Sequence, residues 1–219
     1  QNITSLDEKL EQLEKEVSQK YQQMLQKADA LSQKRKSAKQ PVEKQLTEKL
    51  VYLGMPNAKF KCDITEKNNP DITGKNTVNF LFSANKNTAL LPVSQIASGG
   101  EISRLMLCLK SMITGATAMP TVIFDEIDSG TSGEIADKMG TIMREMSRDM
   151  QVIAITHLPQ IGAKGEVHYV VYKDDNEETT VTYMKKISSE ERIEEIARML
   201  SGEKTTAQAV ENAKVMLGV

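Results

Sequence analysis

Nine apolar residues, Ile3, Leu6, Leu10, Leu13, Val17, Tyr21, Met24, Ala28 and Leu31, recur at steps of three and four, with Glu, Lys and Gln between them. A stripe this narrow with heavily charged flanks reads as a coiled-coil seam, and one strand of a coiled coil needs a partner helix. The consecutive four-residue steps from Leu13 through Val17 to Tyr21 break heptad order and locally unwind a supercoil. The alternative is an amphipathic helix lying along its own globular domain. Pro41 is expected to interrupt the helix, after which Val42, Leu46, Leu50 and Leu53 resume a stripe that stops at Gly54 and Pro56. The chain therefore divides into an arm and connecting helix over residues 1–53 and a globular part over 54–219.

The globular part mixes periods. In "AKFKCDI" and "NTVNFLF" Phe60, Cys62 and Ile64, then Val78, Phe80 and Phe82, alternate with polar neighbours, which predicts two strands around an Asn/Pro/Gly loop. After Gly99-Gly100 the stripe Ile102, Leu105, Met106, Leu109, Met112 and Ile113 predicts a helix ending at Gly115. "TVIFDE" and "QVIAITH" are short β-branched apolar runs joined by the helical stripe Ile135, Met139, Ile142, Met143 and Met146. That is a strand-helix-strand unit with parallel strands expected to be buried on both faces and functional groups at their C-terminal ends. Residues 166–172 and 179–185 predict a hairpin, and Ser188 with Glu191 a capping box opening a helix that stops at Gly202.

Composition excludes some functions and permits others. With 39% hydrophobic residues over 219 positions a core is expected, and a net charge of -2 carries no electrostatic footprint of a nucleic-acid binder. Any basic surface has to be local. Cys62 and Cys108 lack metal-ligand spacing and read as small buried hydrophobes in a reducing cytoplasm, and no apolar run suffices to span a bilayer. The chain begins at Gln1, inside a helical pattern, which suggests a piece of a longer protein.

The chemistry gathers at strand and helix ends. Ser98-Gly99-Gly100-Glu101 opens a helix, where unpaired N–H groups and the positive end of the dipole favour an anion, but G-x-x-x-x-G-K-[ST] is absent. Asp125 and Glu126 emerge from an apolar strand, and such carboxylates need a cation, water or solvent. With phosphate nearby, Asp125 would hold Mg2+ through water and Glu126 would act as general base. His157 ends the second strand and can donate a hydrogen bond to a phosphate oxygen. Each has a plainer reading: the acids as helix-capping or solvated loop residues, His157 as structural, the glycine pair as a turn. His168 is read as structural, and Met106, Met112, Met139 and Met143 as core filling.

The order "SGGE", "TVIFDE", "IDSG", "VIAITH" resembles the C-terminal lobe of an ABC-type ATPase head: signature motif, Walker B strand, D-loop and switch histidine. Arg104 matches a basic position in the helix after many signature motifs. The coiled coil points to the SMC-like branch, and "LGMPNAKF", "FLFSAN", "ASGGEISRLML", "IFDEIDSGTSG" and "ITHLPQI" resemble a bacterial DNA-repair member. The resemblance implies an α/β fold, a mostly parallel sheet with flanking helices preceded by a long coiled-coil helix. It implies that Ser98, Gly99, Gly100 and Glu101 meet the ATP of a second head. Asp125 corresponds to the Mg2+-associated aspartate, Glu126 to the catalytic glutamate, Asp128 to the D-loop position at the dimer interface and His157 to the switch residue. The implied partners are the N-terminal lobe of the same head, a second head in an ATP-dependent dimer, an antiparallel coiled-coil helix and DNA, with no membrane, in a cytoplasmic, nucleoid-associated setting. The Walker A loop and Q-loop belong to the missing lobe, so this chain alone is expected to be inactive. The alternatives are a non-hydrolysing SMC-like scaffold or a different SMC-family ATPase.

Overall fold

A computed structural model describes residues 2–96, 99–115, 119–175, 180–202 and 204–219. The chain forms two compact units, one from Gln1–Glu48 and Asn57–Ile96, the other from Lys49–Pro56 and Ala97–Val219.

The first unit joins most of a long helix to a β-sheet. Helix α1 runs unbroken from Asn2 to Tyr52 with Pro41 inside it, so the expected interruption does not occur. An interior proline removes one helical hydrogen bond and costs about 3 kcal/mol. Tertiary contacts on both sides of Pro41 hold the helix through it. Strands β1 (Lys59–Asp71) and β2 (Gly74–Ser83) form an antiparallel hairpin extended by β3 (Leu91–Pro92). Residues 29, 36 and 43, one heptad apart on α1, hold that hairpin. Asp29 pairs with Lys75 at 2.6 Å, Lys36 meets Glu66 at 3.4 Å, and Glu43 accepts the Cys62 N–H at 2.8 Å.

The hairpin loop is tighter than its Asn and Pro residues predict. Both strands continue past the alternating segments to a turn in which the Asp71 carboxylate accepts from the Thr73 N–H at 2.7 Å and from Lys67 at 2.7 Å. Those bonds hold the Asp71 carboxyl far below the usual carboxylate range, the Lys67 contact first among them. Gly74, at φ +90°, lies where an added Cβ would meet Leu31 Cδ2 at 2.9 Å. Away from the hairpin the seam is bare: Leu6, Leu10, Leu13, Val17 and Tyr21 are all exposed.

The second unit is built around the expected strand-helix-strand. Strands β4 (Thr121–Asp125) and β5 (Gln151–Ile155) pair in parallel, in register from Thr121 with Gln151 to Asp125 with Ile155. Between α1 and β4 lies helix α2 (Gly99–Ile113), and helix α3 (Gly133–Met146) connects the strands. Helix α3 buries Ala136, Met139, Ile142, Met143 and Met146, the predicted stripe with Ile135 at its margin. Burial on both strand faces does not hold. Val122 and Phe124 are buried, whereas Ile123, Ile153 and Ile155 are exposed, because the described residues cover only one side of the pair.

On α2 the buried positions are Leu105, Leu107 and Cys108, while Met106 and Ile113 of the predicted stripe are exposed. Neighbours thus cover a sector displaced from the one that hydrophobicity marks. Met139 and Met143 fill core, as expected, and Met106 does not. Both cysteines are buried, and burial pushes the Cys108 thiol up to about 12.

Strands β6 (Tyr169–Asp175) and β7 (Thr180–Lys186) form the expected antiparallel hairpin. Helix α5 (Ser189–Ser201) opens with both halves of the Ser188/Glu191 capping box and ends at Gly202, φ +79°. Helix α6 (Ala207–Leu217) packs on it through Ile196, Ala197, Ala209 and Ala213. His168 is half-buried, and burial followed by the nearby Arg192 charge holds its imidazole below the usual range.

The short helix α4 (Pro159–Gly162) seats against α3 where Gly140 has no side chain. A Cβ at Gly140 would lie 2.9 Å from Lys164 Cγ, 3.2 Å from the Gln160 carbonyl and 3.3 Å from Ile161 Cα. Two of these contacts are backbone and cannot swing away. Gly140→Val is expected to lose about 1–3 kcal/mol of stability by overpacking, read as a lower denaturant midpoint.

Candidate functional site

Strand β4 ends by turning sharply. Glu126, immediately after β4, adopts φ +45°, a left-handed backbone that a non-glycine residue takes only when its surroundings impose it. The surroundings are visible. The Glu126 N–H donates to the Ile155 carbonyl at 3.2 Å, and the Ser129 N–H returns to the Glu126 carbonyl at 3.2 Å. Asp125 and Glu126 are exposed at this strand end, while the next two residues, Ile127 and Asp128, are buried. The alternation sends one pair of acidic groups outward and anchors the loop with the third.

Asp128 is the anchor. Its side chain is 0% exposed, and Oδ2 accepts a hydrogen bond from the Thr156 hydroxyl on the loop after β5. Thr156 Oγ1 also accepts the Leu158 N–H at 3.0 Å. The other carboxylate oxygen, Oδ1, lies 3.6 Å from His157 Nδ1, and the His157 ring is 66% exposed. On the loop's far side, the Asp128 carbonyl accepts the Thr131 N–H at 3.1 Å and the Thr131 hydroxyl at 2.7 Å. Gly130 supplies φ +72° between them.

Helix α2 brings its first turn to the same loop. A Cβ on Gly100 would stand 3.2 Å from the Ser129 carbonyl, whereas a Cβ on Gly99 would meet nothing within 4 Å among the described residues. Gly100 is thus the close-approach glycine and Gly99 the one facing open space. Glu101 is half-buried in that first turn, and Arg104, one turn on, has its Nε buried without a hydrogen-bond partner among the described residues. Ser98 lies outside the described residues.

The structure therefore joins Gly100 to the 126–131 loop, and that loop to Thr156 and His157. Thr156 was not singled out by the sequence, although it stands beside His157 in "ITH". A hydroxyl flanking a histidine at a strand end is the signal that could have found it. The Asp125 and Glu126 carboxylates have no hydrogen-bond or ion-pair partner among the described residues; they are oxygen donors of the hard kind that Mg2+ takes, and among the described residues no third potential ligand gathers with them.

No family model matches the chain. Curated relatives do. The chain is 39% identical over 190 residues to the DNA repair protein RecN of Rickettsia typhi, an alignment covering 87% of this chain and 34% of that protein. It is 34% identical over 212 residues to RecN of Vibrio cholerae, covering 96% and 38%, and 35% identical over 205 residues to RecN of Deinococcus radiodurans, covering 94% and 36%. The chain thus spans little more than a third of the length of these relatives. Among solved structures, the Smc head domain with a coiled coil and joint from Pyrococcus yayanosii superposes with a TM-score of 0.65 at 16% identity, over 92% of this chain and 36% of that one. The Pyrococcus furiosus Smc head domain with an extended coiled coil, bound to the C-terminal domain of ScpA, gives 0.58 at 16%, over 89% and 46%. At such identity the likeness establishes the fold alone, that of part of an SMC head with coiled coil.

Proposed function

Because this chain belongs to the RecN family through the third of those proteins that it matches, we propose that it is the end of a coiled-coil arm with the C-terminal lobe of an ATPase head acting in DNA double-strand-break repair. In this reading residues 1–53 are the arm and 54–219 the lobe. One observation carries the proposal. Three separate segments, the first turn of α2 at Gly100, the β4 end and loop carrying Asp125, Glu126 and Asp128, and the β5 end carrying Thr156 and His157, are tied into one continuous edge by the Gly100–Ser129, Asp128–Thr156 and Glu126–Ile155 contacts.

The substrate is ATP, held between two heads. Gly99 and Gly100 offer the N-terminal amides of α2 to the phosphate bound by the opposite head, with Ser98 and Glu101 beside them. Glu126 takes a proton from the attacking water, and the exposed His157 ring donates a hydrogen bond to a phosphate oxygen. Asp125 would hold Mg2+, in this reading through water. That ion, when bound, neutralises phosphate charge. Asp128 belongs to the loop that meets the second head.

Hydrolysis then acts on conformation, separating heads and moving arms around DNA. The bare seam from Leu6 to Tyr21 supports an antiparallel partner helix, and the exposed Ile123, Ile153 and Ile155 support a further lobe on the open strand face. No helix among the described residues is long and apolar enough to cross a membrane. A cytoplasmic, nucleoid-associated setting belongs to the same proposal.

The test is ATP turnover by the intact protein, by this chain alone, and by this chain mixed with the remaining segment, each with and without DNA. Turnover by the intact protein and its restoration on mixing are expected. Equal activity from the isolated chain would overturn the half-head reading.

A further inference from the structure

The one hydrogen-bond donor to the buried Asp128 carboxylate among the described residues is the Thr156 hydroxyl, and Thr156 is covalently next to His157. A carboxylate whose side chain is wholly buried is costly unless it is partnered, so this contact is the one that keeps Asp128 inside. The same hydroxyl oxygen accepts the Leu158 N–H, closing a turn across His157. One side chain therefore ties the 126–131 loop to the backbone on both sides of the histidine. The second Asp128 oxygen stands 3.6 Å from His157 Nδ1, with no hydrogen-bond partner of its own.

From this geometry we infer that Thr156 is a positioning residue: through its hydroxyl, a displacement of the Asp128 loop is passed to the His157 ring. The inference rests on the ATPase reading above, in which Asp128 meets the second head and His157 meets phosphate. In that reading, a shift of the Asp128 loop when heads pair is the displacement that Thr156 passes on. Thr156 converts that movement into a placed imidazole, so turnover depends on pairing.

Two substitutions separate this role from plain packing. Thr156→Val keeps the shape and removes the donor and acceptor, while Thr156→Ser keeps both. In the intact protein, Thr156→Val is expected to lower kcat about ten-fold or more, the scale seen when a hydrogen bond behind a functional group is lost. KM for ATP should stay within about two-fold, since the ground-state grip on nucleotide is untouched. Thr156→Ser should restore kcat to within about two-fold of wild type by the same reasoning. A plain packing role would give the opposite split, sparing Thr156→Val and harming Thr156→Ser, which loses the methyl group.

A second readout does not depend on turnover. With histidine selectively labelled in the intact protein, the His157 ring resonance, identified by its loss in His157→Gln, should move in Thr156→Val and return in Thr156→Ser. Wild-type kcat in Thr156→Val, or an unmoved His157 resonance, overturns the assignment of Thr156. Absence of ATP turnover in the wild-type protein overturns the ATPase reading instead, and the resonance then decides Thr156 by itself.

Discussion

Glu126→Gln in the intact protein is expected to cut ATP turnover by about 100- to 10,000-fold, the contribution typical of a positioned general base. Glutamine keeps the length, the shape and the backbone demand of the site. Glu126 sits at φ +45° with its N–H committed to the Ile155 carbonyl, and both features are independent of the carboxylate. The lost function is confined to accepting the proton of the attacking water. ATP-driven pairing of heads should survive, because the amides at Gly99 and Gly100 and the His157 ring are unchanged. Phosphate release measures the first effect and ATP-dependent sedimentation the second. Normal turnover in this variant would remove Glu126 from the role of base.

The second large effect is expected at Gly99. A Cβ there meets nothing within 4 Å among the described residues beyond its chain neighbours and its own helix backbone, so Gly99→Leu should fold with a little-changed thermal midpoint. Its side chain would nonetheless occupy the space in which the opposite head's phosphate approaches the first turn of α2. Displacing that approach by even an ångström costs on the order of 100-fold in rate, and a leucine displaces it by more. ATP-dependent head association and turnover should both be lost. Gly100→Leu is a poorer experiment, since the Ser129 carbonyl stands 3.2 Å from its Cβ position and the fold itself would suffer. Undiminished association in Gly99→Leu would sink the role of this glycine pair across two heads.

Much of the scaffold under these experiments was readable from local pattern. The parallel β4–β5 pair, the α3 stripe, the β6–β7 hairpin and both halves of the Ser188/Glu191 box are where periodicity and capping rules put them. These features depend on side chains within a few positions of one another. Pro41 marks the limit. Its local penalty is real, yet α1 passes through it, with the Glu43–Cys62 hydrogen bond and the buried Leu46 and Leu50 anchoring the helix beyond the proline. Burial shows the same limit. Hydrophobicity marked Ile123, Ile153 and Met106 as core, and they are exposed, since whether an apolar face is covered depends on what else packs there.

The candidate site divides along the same line. Sequence by itself determined which groups are present and in what order: glycines opening a helix, two acids after one apolar strand, a histidine after the next. Tertiary structure decided their environments. It sent Asp125 and Glu126 outward and buried Asp128, although the three are near neighbours in sequence. It also set Gly100 against Ser129 and gave the Asp128 carboxylate its partner in Thr156, 28 positions away. Order and periodicity are properties of neighbouring residues. Desolvation and hydrogen-bond partnership arise only when distant segments close around a side chain, which is why Thr156 became visible only in the folded chain.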